Sequence, residues 1–336
     1  MTAFALNTVA DLWALWGALP ITRLRYPLPD GSPPINLAGL TRRLQGAVQQ
    51  QCCVNLGANQ AGSGLPCVDT VQRACAVAAQ QGDLQGDAKG ATHCDVDWAF
   101  PLDKGKQSWR CARIFLRWNV VHQSLDVLLL GAVQESLIFF VNSFFTDELS
   151  GYAGQLQAAH LPLAQLWPAA PSANTVIDWR LSTPWVMGNT GHVVRGRSAA
   201  KESASVTSSD ATFMLSNSLA QRGYKLTALA VSHAVPRLAA EQVAAVCKSA
   251  RDLGRATLAH GLQLTDCDLQ VVRNPRVSRS TLQTTGQRTQ VPYQALRGRF
   301  HGSMSEAAWP WAALAWVMGS GEGADEGWGA LEVGWD

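Results

Sequence analysis

Apolar positions along this chain repeat at two periods, every second residue in some stretches and near every third or fourth in others, and the switching predicts its elements. From Ile21, "ITRLRYPLP" alternates apolar and polar residues, which predicts a strand closed by Pro27 and Pro29. After the turn "DGSPP", Leu37, Leu40, Leu44 and Val48 recur at helical spacing in "NLAGLTRRLQGAVQQQ". Arg42 and Arg43 fall beside that apolar stripe. Residues 55 to 95 are rich in Gly, Gln and Asp and read as a loop-rich insertion with a short helix near "VDTVQRACAVAAQQ". "RCARIFLRWNVV" then predicts a strand, and "LDVLLLGAVQESLIFFVNSFF" a core helix.

The Pro/Ala hinge "LWPAAPSAN", residues 166 to 174, marks a domain boundary, giving an N-terminal domain over 1–168 and a C-terminal one over 172–336. Beyond it, "TVIDWRLSTPWVM" predicts a strand and "DATFMLSNSLAQRGYKL" a helix. "PRLAAEQVAAVCKSARDLGRATLAHG" predicts an inserted helical segment near 236–262, with Lys248, Arg251 and Arg255 on one face. The helix "WPWAALAWVMG" and the strand-like "WGALEVGW" close the chain. Each half therefore runs strand, turn, helix, then further strands. That order predicts an α+β protein of two tandem ferredoxin-like domains, with helices on one face of each antiparallel sheet and the other face free.

Charge narrows the class of partner. The net charge is only +2, and charged residues make up 15% of the chain against 47% hydrophobic, a low surface charge that hints at area covered by a partner. The distribution is uneven: from Leu269 to Ser305 there is no acid, while Arg273, Arg276, Arg279, Arg288, Arg297 and Arg299 all fall there. Guanidinium forks suit phosphate and stack on bases, so this stretch favours nucleic acid over membrane, against the alternative of a solvated loop. Gln134, Glu135 and Asn142 break the most apolar run too early for a span. Eight cysteines without a secretory signal imply reduced thiols in the cytoplasm. Cys53, Cys67, Cys75 and Cys94 lack the CxxC pair that would anchor zinc, so no metal site is expected.

The stretch "GSGEGADEGWG", residues 319 to 329, invites a phosphate-loop reading. A dinucleotide fingerprint needs more chain after it than "ALEVGWD" supplies, and a P-loop needs a GK[ST] that is absent here. Lying between a helix and a strand, the loop is held at both ends. Its spacing, Gly319 and Gly321, five residues, then Gly327 and Gly329, resembles the C-terminal glycine-rich loop of the RAMP superfamily, the RNA-binding proteins of CRISPR systems. "LRGRFHGSM" followed by a helix and this loop is similar to the closing segment of the precursor-CRISPR-RNA processing endoribonucleases. "WRLSTPWVM" resembles the start of their C-terminal domain, "VDWAFPLDKGKQSWRCARIFLRW" their N-terminal central strands, and "ITRLRYPLP" with the next helix their first strand and helix.

The resemblance implies an endoribonuclease that cuts CRISPR repeat hairpins without metal or other cofactor, the ribose 2′-hydroxyl attacking the adjacent phosphorus. It also implies crRNA and other effector-complex subunits as partners. In that family the usual base is a histidine near the first helix, yet no histidine precedes His93 here. The expected site is therefore arginine-dominated, with Arg23 leading and Arg25 and Arg42 following, as in a divergent, type IV-like member. His192 and His301 stand as alternative bases, and Tyr26 as an acid, a stacking residue or core. Expected RNA contacts are Arg43, Arg195 and Arg197, then Lys248, Arg251 and Arg255 on a basic helix meeting phosphates of the deep major groove. Arg273, Arg276, Arg279, Arg288 and the loop glycines complete the set. Glu322, Asp325 and Glu326 should face away from phosphate. The competing reading is a RAMP subunit that holds guide RNA without cutting it.

Overall fold

The computed structural model describes residues 8–32, 35–53, 113–119, 122–131, 135–149, 156–167, 175–186, 207–235, 238–276, 291–321 and 329–334. The chain divides into two compact units: Met1–Ala169, Gly223–Leu253 and Asp325–Gly327 form the first, and Ala170–Arg222, Gly254–Ala324 and Trp328–Asp336 the second.

The first unit begins with helix α1 (Val9–Gly17), started by a capping box in which Thr8 and Asp11 each accept from the other's backbone N–H. Then come β1 (Pro20–Pro27), α2 (Leu37–Cys53), β2 (Ile114–Asn119), β3 (Ser124–Leu130), α3 (Glu135–Glu148) and β4 (Gln157–Pro162). The strands form one antiparallel sheet in the order β2-β3-β1-β4. The sequence expectation of one core helix over "LDVLLLGAVQESLIFFVNSFF" is corrected here: its first part is the central strand β3, and only Glu135 onward is helical. Every β3 residue is buried, so the run has no polar alternation to mark a strand, and an unbroken apolar run fits a doubly covered strand as well as a helix. Gly131, at φ 85, turns the chain out of β3 in a conformation that costs other residues strain.

One face of this sheet carries Leu24 and Tyr26 toward α3, where Tyr26 packs on Phe145 with ring centroids 5.4 Å apart. The opposite face is not free as expected, because Arg113, Arg117, Asn119, Ser124 and Asp126 are all buried. Part of the cover comes from helix α4 (Ser208–Ala234), whose later turns belong to this unit. Thr227 on α4 accepts a bond from Trp16 Nε1 at 3.0 Å, and Leu229 lies beside Gly131. Ala228 and Val231 of α4 form a cluster with Val243, Val246 and Cys247 of helix α5 (Ala240–Gly261), with Leu15 of α1 packed against it.

The second unit contains β5 (Thr175–Leu181), β6 (Trp185–Val186), β7 (Leu262–Arg276), β8 (Val291–Met304), helix α6 (Trp309–Met318) and β9 (Leu331–Gly334). β5 lies between β8 and β9, and β8 also pairs with β6 and, along its full length, with β7. Alternation buries Ile177, Trp179 and Leu181 with Phe300 and Leu331, and sends Asp178, Arg180, Arg297 and Arg299 outward. Both units are thus mixed helix and antiparallel sheet, the α+β class expected. No helix among the described residues is long and apolar enough to cross a membrane.

Candidate functional site

Alternation along β1 puts Arg23 and Arg25 on the sheet face opposite Thr22, Leu24 and Tyr26. The antiparallel register sets Arg25 against Asp126 of β3, and Asp126 against Arg117 of β2. Arg25 grips the carboxylate with two bonds, Nε to Oδ1 at 2.8 Å and Nη2 to Oδ2 at 2.9 Å. Ser124 Oγ donates to Oδ1 at 3.2 Å and Asn119 Nδ2 to Oδ2 at 3.4 Å, so Asp126, 2% exposed, already accepts four bonds.

Arg23 stands two residues along the same face, and its buried Nε has no hydrogen-bond partner. Burial draws its pKa below the ordinary guanidinium value, repulsion from Arg25 adds to the fall, and Asp126 opposes it. Arg117 is pushed down much further by burial; Asp126 counters that, while Arg25 and Arg23 reinforce it. Among the described residues three guanidiniums therefore surround one carboxylate. Desolvated cations in excess favour an anion, and a phosphoryl oxygen would satisfy the stranded donor of Arg23.

The structure does not bring Arg42 to this face. Tyr26 points to the other side and bonds Asn142 on α3 at 3.2 Å, and α2 is tied to that same helix by Arg43 Nε and Glu148 Oε1 at 3.0 Å. Arg42 lies on α2 with its Nε 3.4 Å from the Ala38 carbonyl one turn back. Tyr26 is core rather than acid: it is 2% exposed, and burial pushes its phenol further up. His301 on β8 lies in register with Asp178 and Asp266, its Nδ1 3.5 Å from Asp178 Oδ1. His192 lies outside the described residues.

The glycine loop leaves α6 through left-handed turns, with Gly319 at φ 68 and Gly321 at φ 86, and returns through Gly329 at φ 63. Its two ends are tied: Ser320 N donates to Gly329 O at 2.9 Å, and Gly329 N to Pro184 O at 3.0 Å. A Cβ on Gly329 would collide with the Ser320 carbonyl oxygen, so only glycine fits. Ser218 Oγ accepts from Gly321 N, and Arg222 Nη2 donates to Gly321 O at 2.9 Å. Gly327 and the acids Glu322, Asp325 and Glu326 lie outside the described residues.

No family model matches this chain, and no curated protein matches its sequence. Among solved structures it is similar to a Thermus thermophilus Cas6, with 12% identity over 94% of this chain and 99% of that one, at a TM-score of 0.41. It is similar too to Thermus thermophilus Cse3 bound to an RNA representing a pre-cleavage complex, with 12% identity over 94% and 98% and a TM-score of 0.32. A third similarity is to a chain of a partial Cas6-RT-Cas1–Cas2 complex, with 10% identity over 95% of this chain and 46% of that one and a TM-score of 0.42.

Those of the remaining expected contacts that are described lie on α5 and β7. Lys248 and Arg255 are exposed on α5, whereas Arg251 is half-buried with its guanidinium 5.6 Å from the centre of the Tyr224 ring. α5 is not a free finger, since Val243, Val246 and Cys247 are buried in its cluster with α4. Arg273 and Arg276 lie on the backbone of β7, opposite Gln294 and Val291. Arg195, Arg197, Arg279 and Arg288 fall outside the described residues. Sequence reasoning missed Asp126, Arg117, Ser218 and Arg222. Asp126 carried a signal, an acid within an apolar run; the other three read as ordinary polar positions.

Proposed function

We propose that this protein is a metal-independent endoribonuclease that binds CRISPR repeat hairpins in precursor crRNA, cuts them and keeps the product, acting in the cytoplasm. One observation carries the reading: Arg23 has a buried, unsatisfied Nε within an excess of desolvated positive charge. In the proposed step the 2′-oxygen bonds to phosphorus, the bond from phosphorus to the 5′-oxygen breaks, and the hydroxyl proton passes to solvent. The departing 5′-oxygen takes a proton in turn. Charge grows on the phosphoryl oxygens, where Arg23 would be worth most. A guanidinium with a lowered pKa is also a better proton donor than one in water. Arg23 and Arg25 act here as stabilisers rather than as general bases, and Arg42 is assigned to the helix layer. The strand orders of the two units support the reading as tandem ferredoxin-like domains, with α5 as the basic helical insertion.

A second reading, a RAMP subunit that holds guide RNA uncut, draws on a different observation. The described residues around Arg23 include cations and a saturated carboxylate, and His160, on the strand paired with β1, bonds Thr22 on the opposite face. Incubation with hairpin RNA transcribed from the CRISPR repeat of the source genome, in EDTA, separates the two. Cleavage that a single 2′-deoxy substitution before the cut abolishes supports the nuclease. Tight binding of intact RNA supports the holder, and cleavage only with added metal would sink the mechanism.

A further inference from the structure

We propose that Ser218 and Arg222 are positioning residues for the first turn of the glycine loop, Gly319–Gly321, clamping it so that the backbone of that turn meets RNA already ordered. The proposal rests on the RNA-binding reading of that loop. Ser218 and Arg222 stand four residues apart on α4, and so share one face of the helix. From that face they take both polar groups of one residue: the Gly321 N–H donates to Ser218 Oγ, and the Gly321 carbonyl accepts from Arg222 Nη2 at 2.9 Å.

Arg222 is only 4% exposed. Burying a guanidinium is costly unless the cation is hydrogen-bonded, and the Gly321 carbonyl accepts one such bond. That bond is charge-assisted and holds a turn whose glycines, at φ 68 and φ 86, are the residue type that loses most freedom on ordering. The tie between Ser320 and Gly329 closes the loop's base, and α4 fixes its direction of departure. A turn ordered on folding does not lose that freedom again on binding.

The test measures binding and cutting of the same repeat hairpin by Arg222→Ala, Arg222→Lys, Ser218→Ala, Gly321→Ala and the double variant Arg222→Ala/Gly321→Ala. Arg222→Ala and Ser218→Ala should each weaken RNA affinity about tenfold, the scale of one lost hydrogen bond. The single-turnover cutting rate at saturating protein should stay within about twofold, because the clamp acts on affinity and not on the reacting phosphate. Arg222→Lys should recover part of the loss. The double variant should bind no worse than the weaker single variant, since both changes break one device. Additive losses would make Arg222 a general structural residue and overturn the proposal. If Gly321→Ala weakens binding while Arg222→Ala and Ser218→Ala do not, the clamp is wrong and the loop reading stands. If Gly321→Ala binds normally, the loop reading fails and the clamp with it. Ser218→Ala removes one hydroxyl from an intact helix, so it decides the matter even if Arg222→Ala does not fold.

Discussion

Arg23 and Asp126 divide one small region of sheet between them, and their substitutions should fail in different ways. Arg23→Ala removes a cation whose Nε makes no hydrogen bond, so it should fold normally and slow cutting by about a hundredfold or more, with affinity falling by less than about tenfold. Equal losses in rate and affinity would make Arg23 a phosphate clamp. Asp126→Asn instead removes the carboxylate charge that faces Arg25 and Arg117 and breaks a two-bond ion pair. It should cost about 3 kcal/mol or more in urea unfolding, the usual scale for uncompensated buried charge. Arg113 extends the argument to pH. Burial lowers it to about 10, so from there up to the ordinary guanidinium value the unfolded chain binds more protons and stability rises with pH. At neutral pH the buried charge is a cost. The unfolding free energy of the native protein relative to Arg113→Met should therefore change little up to about pH 9 and improve as pH is raised through about 10.

At the scale of elements, what could be read from the sequence followed how local its cause was. β1 was legible because one face is core and the other holds arginines, and α2 was legible from its apolar spacing, with α4, α5 and α6 also read as helices. β3 was not, because a strand covered on both faces loses the alternation that marks it. The arginine cluster was half legible for the same reason. Arg23 and Arg25 show their shared face within one strand, but Asp126 and Arg117 join them only through pairing across about a hundred residues of chain. Arg42 looked close because a strand and a following helix are close in sequence, yet α2 is tied to α3, on the far side of the sheet. Glycines test these assignments. Gly131→Ala should cost about 1–2 kcal/mol, since its φ of 85 is unfavourable while its neighbours leave room at 3.5 Å and beyond. Gly329→Ala adds a collision with backbone and should cost more. Chemical unfolding of the two variants side by side measures the difference.

For the whole molecule, the basic residues act in two ways that a salt titration can separate. A cation that meets a phosphate releases a counterion, so removing it flattens the plot of log affinity against log salt by about 0.7 to 0.9. Lys248 and Arg255 are exposed on α5 and should each behave so when changed to alanine, with little loss of stability. Arg251 is half-buried over Tyr224, and Arg251→Ala should therefore leave the slope nearly unchanged while lowering the unfolding free energy by about 1 kcal/mol, the scale of a cation–π contact. Equal slope changes at all three positions would mean that the full face of α5 lies against RNA. The outcome bears on the low charge content of the chain. Its positive charge is concentrated rather than abundant, so a few exposed cations should account for most of the salt dependence, while the buried Arg222 at Gly321 contributes geometry.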